Sequence, residues 1–213
     1  MSLALKKRSN GMASYPVRDQ GADQLLTPGN SALIIIDYQP VQVTSVASMD
    51  RQAMVTNIVS VAKTAKLFGL PIILSTVNVQ SGRNQPTIHQ LQETLAGVTA
   101  YDRTTINAWE DKEFVEAVKA TGRKKLIMTA LWTEACLAFP ALDAIKEGYD
   151  VYIVVDAVGG TSKIAHEAAI VRMTQAGVKP ISWVQLLCEL QRDWNRPATV
   201  SDFSKILFAV EGH

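Results

Sequence analysis

The sequence predicts an α/β fold of three layers, with helices on both faces of a central, mostly parallel sheet of about six strands. Three observations lead there. Short apolar runs rich in β-branched residues recur along the chain, unbroken rather than alternating, as strands buried on both faces require. Longer stretches with apolar residues at helical spacing lie between them. Most of those stretches end at a glycine, the residue that closes a helix in a left-handed conformation.

Residues 1–29 are polar and punctuated by Pro16, Gly21, Pro28 and Gly29, and read as an arm draped over the domain or over a neighbouring subunit. Met1-Ser2-Leu3 and Glu211-Gly212-His213 resemble cloning remnants and carry no functional weight. The domain proper is expected over 30–195. Its first strand is 32–36, closing at Asp37. A helix over 50–68 carries the stripe Met54, Ile58, Val61, Ala65 and Phe68 and stops at Gly69; 72–74 is the second strand. A short helix over 86–95 precedes a weak strand at 98–101, and a helix over 111–120 is closed by Gly122. Lys125–Ala130 is the fourth strand, 133–147 a helix stopped by Gly148, and 151–155 the fifth strand. A helix over 162–176 ends at Gly177, Lys179–Ile181 is a short sixth strand, and two amphipathic helices follow, with the final helix and tail in 196–213. Strand–helix alternation of this kind is the sequence form of repeated βαβ units.

Composition narrows the function classes. Lys and Arg total 21 against 20 Asp and Glu, a net charge of +1, so no electrostatic footprint marks a nucleic-acid or membrane partner. Cys136 and Cys188 are too few and too far apart for a disulfide scaffold. No secretory leader opens the chain and no apolar run nears the ~18 residues of a membrane span, which makes the cytoplasm the expected location. The three histidines, His89, His166 and His213, are scattered, and neither a metal nor a cofactor is expected. The turn Val158-Gly159-Gly160-Thr161 lacks the remaining residues of a phosphate or dinucleotide loop and reads as a tight entry to a helix capped near Ser162.

In parallel α/β sheets, ligands bind beyond the carboxyl ends of the strands, where the strand order reverses. Cys136 meets that rule: it follows the fourth strand and falls in the first turn of a helix. With Thr133 as N-cap, free N–H groups and the dipole favour its thiolate. The segment also allows a small packed cysteine before Leu137-Ala138-Phe139. Asp37, directly after a buried strand, is a costly place for a charge unless something uses it, and reads as a base for the thiol or as a turn acid. Arg103, in "YDRTTINAWED", is placed to pair with Asp37 or to hold a ligand carboxylate or carbonyl oxygen; alone it would read as a surface arginine. Cys188, among Leu186, Leu187 and Leu190, reads as structural, with Glu189, Arg192 and Asp193 on the solvated or subunit-facing side of its helix.

With Asp37, Arg103 and Cys136 in this order, the chain resembles the isochorismatase-like cysteine hydrolases over about 30–195. "ALIIIDYQ" is similar to their opening strand with its catalytic aspartate. "ALWTEACLAFPALDAIKEGYDVYIVVDA" is similar to their nucleophile segment, and "INAWEDKEFVEAVKATGRKKLIM" and "CELQRDW" to the YcaC-like branch. The resemblance implies a Rossmann-like α/β/α domain that forms homo-oligomers, with octamers in that branch. It implies a catalytic triad of Asp37, Arg103 and Cys136. It also implies an oxyanion hole from the N–H groups of Ala135 and Cys136 and a cis peptide near Trp132–Thr133. Asn107, Trp109, Trp132 and Thr133 are the candidates to bind substrate. Two positions depart from the pattern: Arg103 stands where lysine is usual, and Ala130 where the nucleophile motif begins with glycine. The metal cluster of the nicotinamidase branch has only His89 to represent it in "VNVQSGRNQPTIHQ". The expected activity is hydrolysis of an amide or ureido C–N bond of a small molecule through a thioester. The alternative is a catalytically silent, oligomeric binding or scaffold protein of the same fold.

Overall fold

The structure is a computed structural model that describes residues 19–209. Most of the expected arm, residues 1–18, and the tail 210–213 lie outside the described residues. Six strands form one sheet: β1 (Ser31–Ile36), β2 (Ile72–Val77), β3 (Ala100–Arg103), β4 (Lys125–Ala130), β5 (Asp150–Val154) and β6 (Lys179–Ile181). All pairings are parallel and the order is β3-β2-β1-β4-β5-β6. The order reverses between β1 and β4, so the crevice where ligands bind in such sheets opens between Asp37 and the segment after Ala130.

The central strands bury both faces, and their alternate residues separate into two cores. Leu33, Ile35, Leu74, Ile127 and Val154 point to one layer, made by α2 (Arg51–Leu67), α3 (His89–Thr94), α7 (Trp183–Gln191) and α8 (Val200–Phe208). Ile34, Ile36, Ile73, Met128 and Ile153 point to the other, made by α4 (Lys112–Ala120), α5 (Ala138–Lys146) and α6 (Lys163–Gln175). Every residue of β1 is buried, which is why the run 32–36 shows no alternation. Each fully buried Leu or Ile contributes about 1.5–3 kcal/mol relative to exposure. Phe203 carries the last helix into the first of these cores.

Helix ends follow local chemistry. Asp50, Asp111 and Ser162 accept hydrogen bonds from backbone N–H groups at the starts of α2, α4 and α6. Gly148 closes α5 at φ +87°, a region costly for any residue with a Cβ.

Several boundaries differ from expectation. The helix over 133–147 is two pieces: a π-helical turn, Thr133–Leu137, and then α5. The third strand runs to Arg103, which therefore ends a strand instead of sitting in a loop. A one-turn helix α1 (Pro40–Thr44) and a 3₁₀ turn (Ala108–Glu110) were not expected. Glu189 and the exposed Arg192 also bind within the chain: Glu189 accepts from the Leu26 N–H at 2.7 Å, and Arg192 pairs with Asp23 at 3.2 Å. They hold down the chain entering β1. Cys188 is exposed, because Leu186, Leu187 and Leu190 take the buried side of α7 and turn it outward.

Candidate active site

The chain turns sharply as it leaves β1. Asp37 has φ +61°, a region seldom used by residues other than glycine, and its N–H still donates to the Ser75 carbonyl at 3.0 Å. Both following side chains are buried and hold the turn. The Tyr38 hydroxyl donates to the Ala157 carbonyl at 2.6 Å. The Gln39 amide donates to the carbonyls of Val77 (3.1 Å) and Gln85 (2.6 Å) and accepts from the Val77 N–H at 2.9 Å. Such outliers persist where their surroundings over-determine them, often at functional sites. Sequence reasoning missed Tyr38 and Gln39; two polar side chains straight after a buried strand were the available signal.

Arg103 ends β3 and reaches across β2 to Asp37. Its Nη1 and Nη2 donate to Asp37 Oδ1 and Oδ2, each at 2.7 Å, in a two-pronged pair in which both residues are buried. Nη1 also donates to Ser75 Oγ at 3.0 Å and the Thr76 carbonyl at 3.1 Å, and Nη2 to the Ile106 carbonyl at 3.1 Å. Burial works to lower the arginine's pKa, and Asp37 outweighs it, so the guanidinium is held more firmly charged than usual. Two residues separated by 66 in sequence thus form one electrostatic unit at the carboxyl end of the sheet.

Cys136 lies in the π-helical turn after β4, buried, with its thiol against the Asp37 carboxylate. Burial first, and then the charge and hydrogen bond of Asp37, push the thiol up to about 12, against the smaller opposing pull of Arg103. This reverses the expectation of a helix-end thiolate. The sulfur is shielded from water and faces a carboxylate, so the resting group is the thiol. Asp37, Arg103 and Cys136 are nonetheless brought together, from β1, β3 and the segment after β4.

The turn around Cys136 is clamped from β5 and α6. The peptide bond Leu131–Trp132 is cis, one residue before the expected position. Thr133 is not an N-cap: its hydroxyl is hydrogen-bonded to His166 Nδ1 at 2.8 Å, and its N–H donates to the Gly159 carbonyl at 3.0 Å. Burial lowers the His166 pKa, against the opposing charges of Glu134 and Glu167. Glu134 Oε1 accepts from the Thr161 N–H (2.9 Å) and hydroxyl (2.6 Å). The glycine pair read as a tight turn owes its identity to this close approach. A Cβ on Gly160 would sit 2.5 Å from Glu134 Oε2, and one on Gly159 2.6 Å from Val46 Cγ1. His166 stands 33 residues from Thr133, and no sequence spacing announced it.

The remaining candidates divide. The Trp132 indole N–H donates to Ser45 Oγ at 2.8 Å, joining the turn around Cys136 to the residue just after α1. Ala135 N–H donates to the Trp132 carbonyl at 3.2 Å. Asn107 and Trp109 turn towards α5 instead. Asn107 Nδ2 donates to Asp143 at 2.8 Å, and the Trp109 indole N–H to Glu147 at 2.9 Å, with its ring edge-on to Phe114 and Tyr149. Among the described residues, no helix is long and apolar enough to cross a membrane.

Known proteins share this fold. The Isochorismatase domain model matches residues 31–185. The probable hydrolase YcaC of Escherichia coli is 38% identical over 170 residues, covering 79% of this chain and 81% of its own. The crystal structure of the E. coli YcaC gene product, described as an octameric hydrolase of unknown specificity, superposes with TM-score 0.78 at 34% identity, covering 89% of this chain and 97% of its own. A YcaC from Pseudomonas aeruginosa, solved with hexane-2,5-diol and covalent acrylamide, gives the same TM-score at 32% identity and covers 88% and 98%. The chain belongs to the isochorismatase family, and within it to the hydrolases of the YcaC kind.

Proposed function

We propose that this hydrolase cleaves an amide or ureido C–N bond of a small molecule through a thioester on Cys136, as a cytoplasmic homo-oligomer. One observation carries the reading: the Cys136 thiol lies against Asp37, a carboxylate neutralised and oriented by Arg103. A carboxylate can take the thiol proton; no backbone group could. Because the thiol rests protonated, proton transfer to Asp37 accompanies attack on the carbonyl carbon, and a standing thiolate is not needed. The sulfur–carbon bond forms as the carbonyl becomes an oxyanion, received by the N–H groups of Ala135 and Cys136. The Ala135 N–H has only a 3.2 Å bond to give up. The C–N bond then breaks, the amine leaves with the proton from Asp37, and water cleaves the thioester to a carboxylic acid.

Arg103 stays charged throughout, orienting and neutralising Asp37, which suits a guanidinium better than proton transfer would. Trp132 and Thr133 flank the reacting group, while Asn107 and Trp109 brace the loop after Arg103 against α5. Two relatives support the reading. The P. aeruginosa YcaC was solved with covalent acrylamide, which adds to nucleophiles through its C=C bond and so marks a reactive nucleophile in that protein, and the E. coli protein is described as an octamer. A cytoplasmic setting keeps a thiol reduced.

The protonated thiol also favours a second reading, a silent scaffold of the same fold. Turnover separates the two. A panel of small amides and ureido compounds should include at least one that the protein hydrolyses, with a loss of ~10³-fold or more in Cys136→Ala. Full turnover in that variant would remove Cys136 from the chemistry; no turnover across the panel would favour the scaffold.

A further inference from the structure

Arg103 has little left to offer a ligand. A guanidinium has five N–H donors and no acceptor. Its four Nη hydrogens meet five acceptors: the two on Nη1 are shared among Asp37 Oδ1, Ser75 Oγ and the Thr76 carbonyl, and the two on Nη2 go to Asp37 Oδ2 and the Ile106 carbonyl. The fifth donor, Nε, is sealed from solvent without a partner. Gripping a ligand carboxylate would require breaking bonds that hold Asp37 in place. The geometry points to a substrate with an uncharged acyl group: a small amide or ureido compound that carries no carboxylate beside the bond to be cleaved. This rests on the thioester reading above and names the substrate class of that same site.

The electrostatics at the sulfur agree. Asp37 opposes negative charge at Cys136 more strongly than Arg103 favours it. A ligand carboxylate placed there would meet the same repulsion in a site shielded from water. The loops that carry the triad also present apolar side chains. Val41, on the helix that follows Asp37, is 54% exposed, and Ile106, on the loop whose carbonyl Arg103 holds, is 62% exposed. Such apolar surface suits an alkyl or aryl substituent.

The test uses reagents alike except for charge. Iodoacetamide and iodoacetate each form a sulfur–carbon bond as iodide leaves and the thiol proton passes to buffer. Alkylation of the intact protein is followed by peptide mass mapping at about pH 9, with glutathione as the free-thiol reference and exposed Cys188 as an internal comparator. The amide-to-acid rate ratio at Cys136 should exceed that of glutathione about tenfold or more, while Cys188 shows no such preference. In parallel, kcat/KM is compared for butyramide and its anionic counterpart succinamate, and the neutral amide should be favoured by a similar factor. Iodoacetate labelling at the free-thiol ratio, or succinamate turned over as well as butyramide, would overturn the inference while leaving Cys136 a nucleophile. If neither reagent labels Cys136 and no amide is turned over, the thioester reading fails and this inference with it.

Discussion

At the start of β4 the Lys125 ammonium lies buried under the incoming chain and donates to the carbonyls of Asp23 (2.6 Å), Gln24 (2.6 Å) and Leu25 (3.2 Å). At the opposite end of the sheet Arg103 lies more deeply buried, against Asp37 and beside Cys136. Both are cations in a sheet whose strands are otherwise largely apolar. What differs is the partner. Burial lowers the Lys125 pKa, and the groups that receive its hydrogen bonds are carbonyls, which cannot accept a proton near neutral pH. Arg103 instead holds a carboxylate, which can, within reach of a thiol that has one to give. Burial of charge is thus no mark of function by itself; a proton donor and acceptor held together by a fixed counter-charge is.

Substitutions at the two ends should separate in kind as well as in size. Asp37→Asn removes the proton acceptor and leaves the Arg103 charge buried without a counter-ion. We expect kcat/KM to fall ~10²- to 10⁴-fold and unfolding in urea to show a loss of about 3–5 kcal/mol. Activity surviving near wild type would break the distinction between the ends. Gly160→Ala pushes a methyl towards Glu134 Oε2 and so displaces the turn that carries Cys136. A stability cost of about 1–3 kcal/mol should come with a ~10- to 100-fold drop in kcat. Lys125→Met keeps the apolar stem and strands three carbonyls. Its cost, about 1–3 kcal/mol, should appear in the melting curve, with kcat unchanged. Cys188→Ser, on the exposed side of α7, should shift stability by no more than ~0.5 kcal/mol and leave turnover untouched.

The sequence and the structure agree most closely where local chemistry decides. The central strands were legible because unbroken β-branched runs suit only a sheet covered on both faces, whereas the exposed edge strands β3 and β6 were marked only by their place between helices. Asp37 and Cys136 were legible because both follow neighbouring strands at the reversal of strand order. Disagreement begins where contacts distant in sequence compete with local propensity. Thr133 has the type of an N-cap, yet His166 claims its hydroxyl, and the expected helix start becomes a π-helical turn. The same region misled the expectation for Cys136. A helix end favours thiolate in isolation, but burial and Asp37 win. Asn107 and Trp109, candidates from a polar loop, give hydrogen bonds to Asp143 and Glu147, on and beside α5, which nothing in the loop's own sequence announces. Lys125 read as an ordinary strand start, because nothing in its neighbourhood shows that residues 23–25 return to cover it.

The central claim is that Cys136 becomes acylated during turnover. Mixing the protein with a small neutral amide, quenching in acid within the first turnover and mapping peptides by mass tests it directly. The expected result is an acyl group on the peptide containing Cys136, one ammonia released per adduct, and neither in Cys136→Ala. Hydrolysis that proceeds in the wild type with no adduct, or with equal ammonia release in Cys136→Ala, would contradict it.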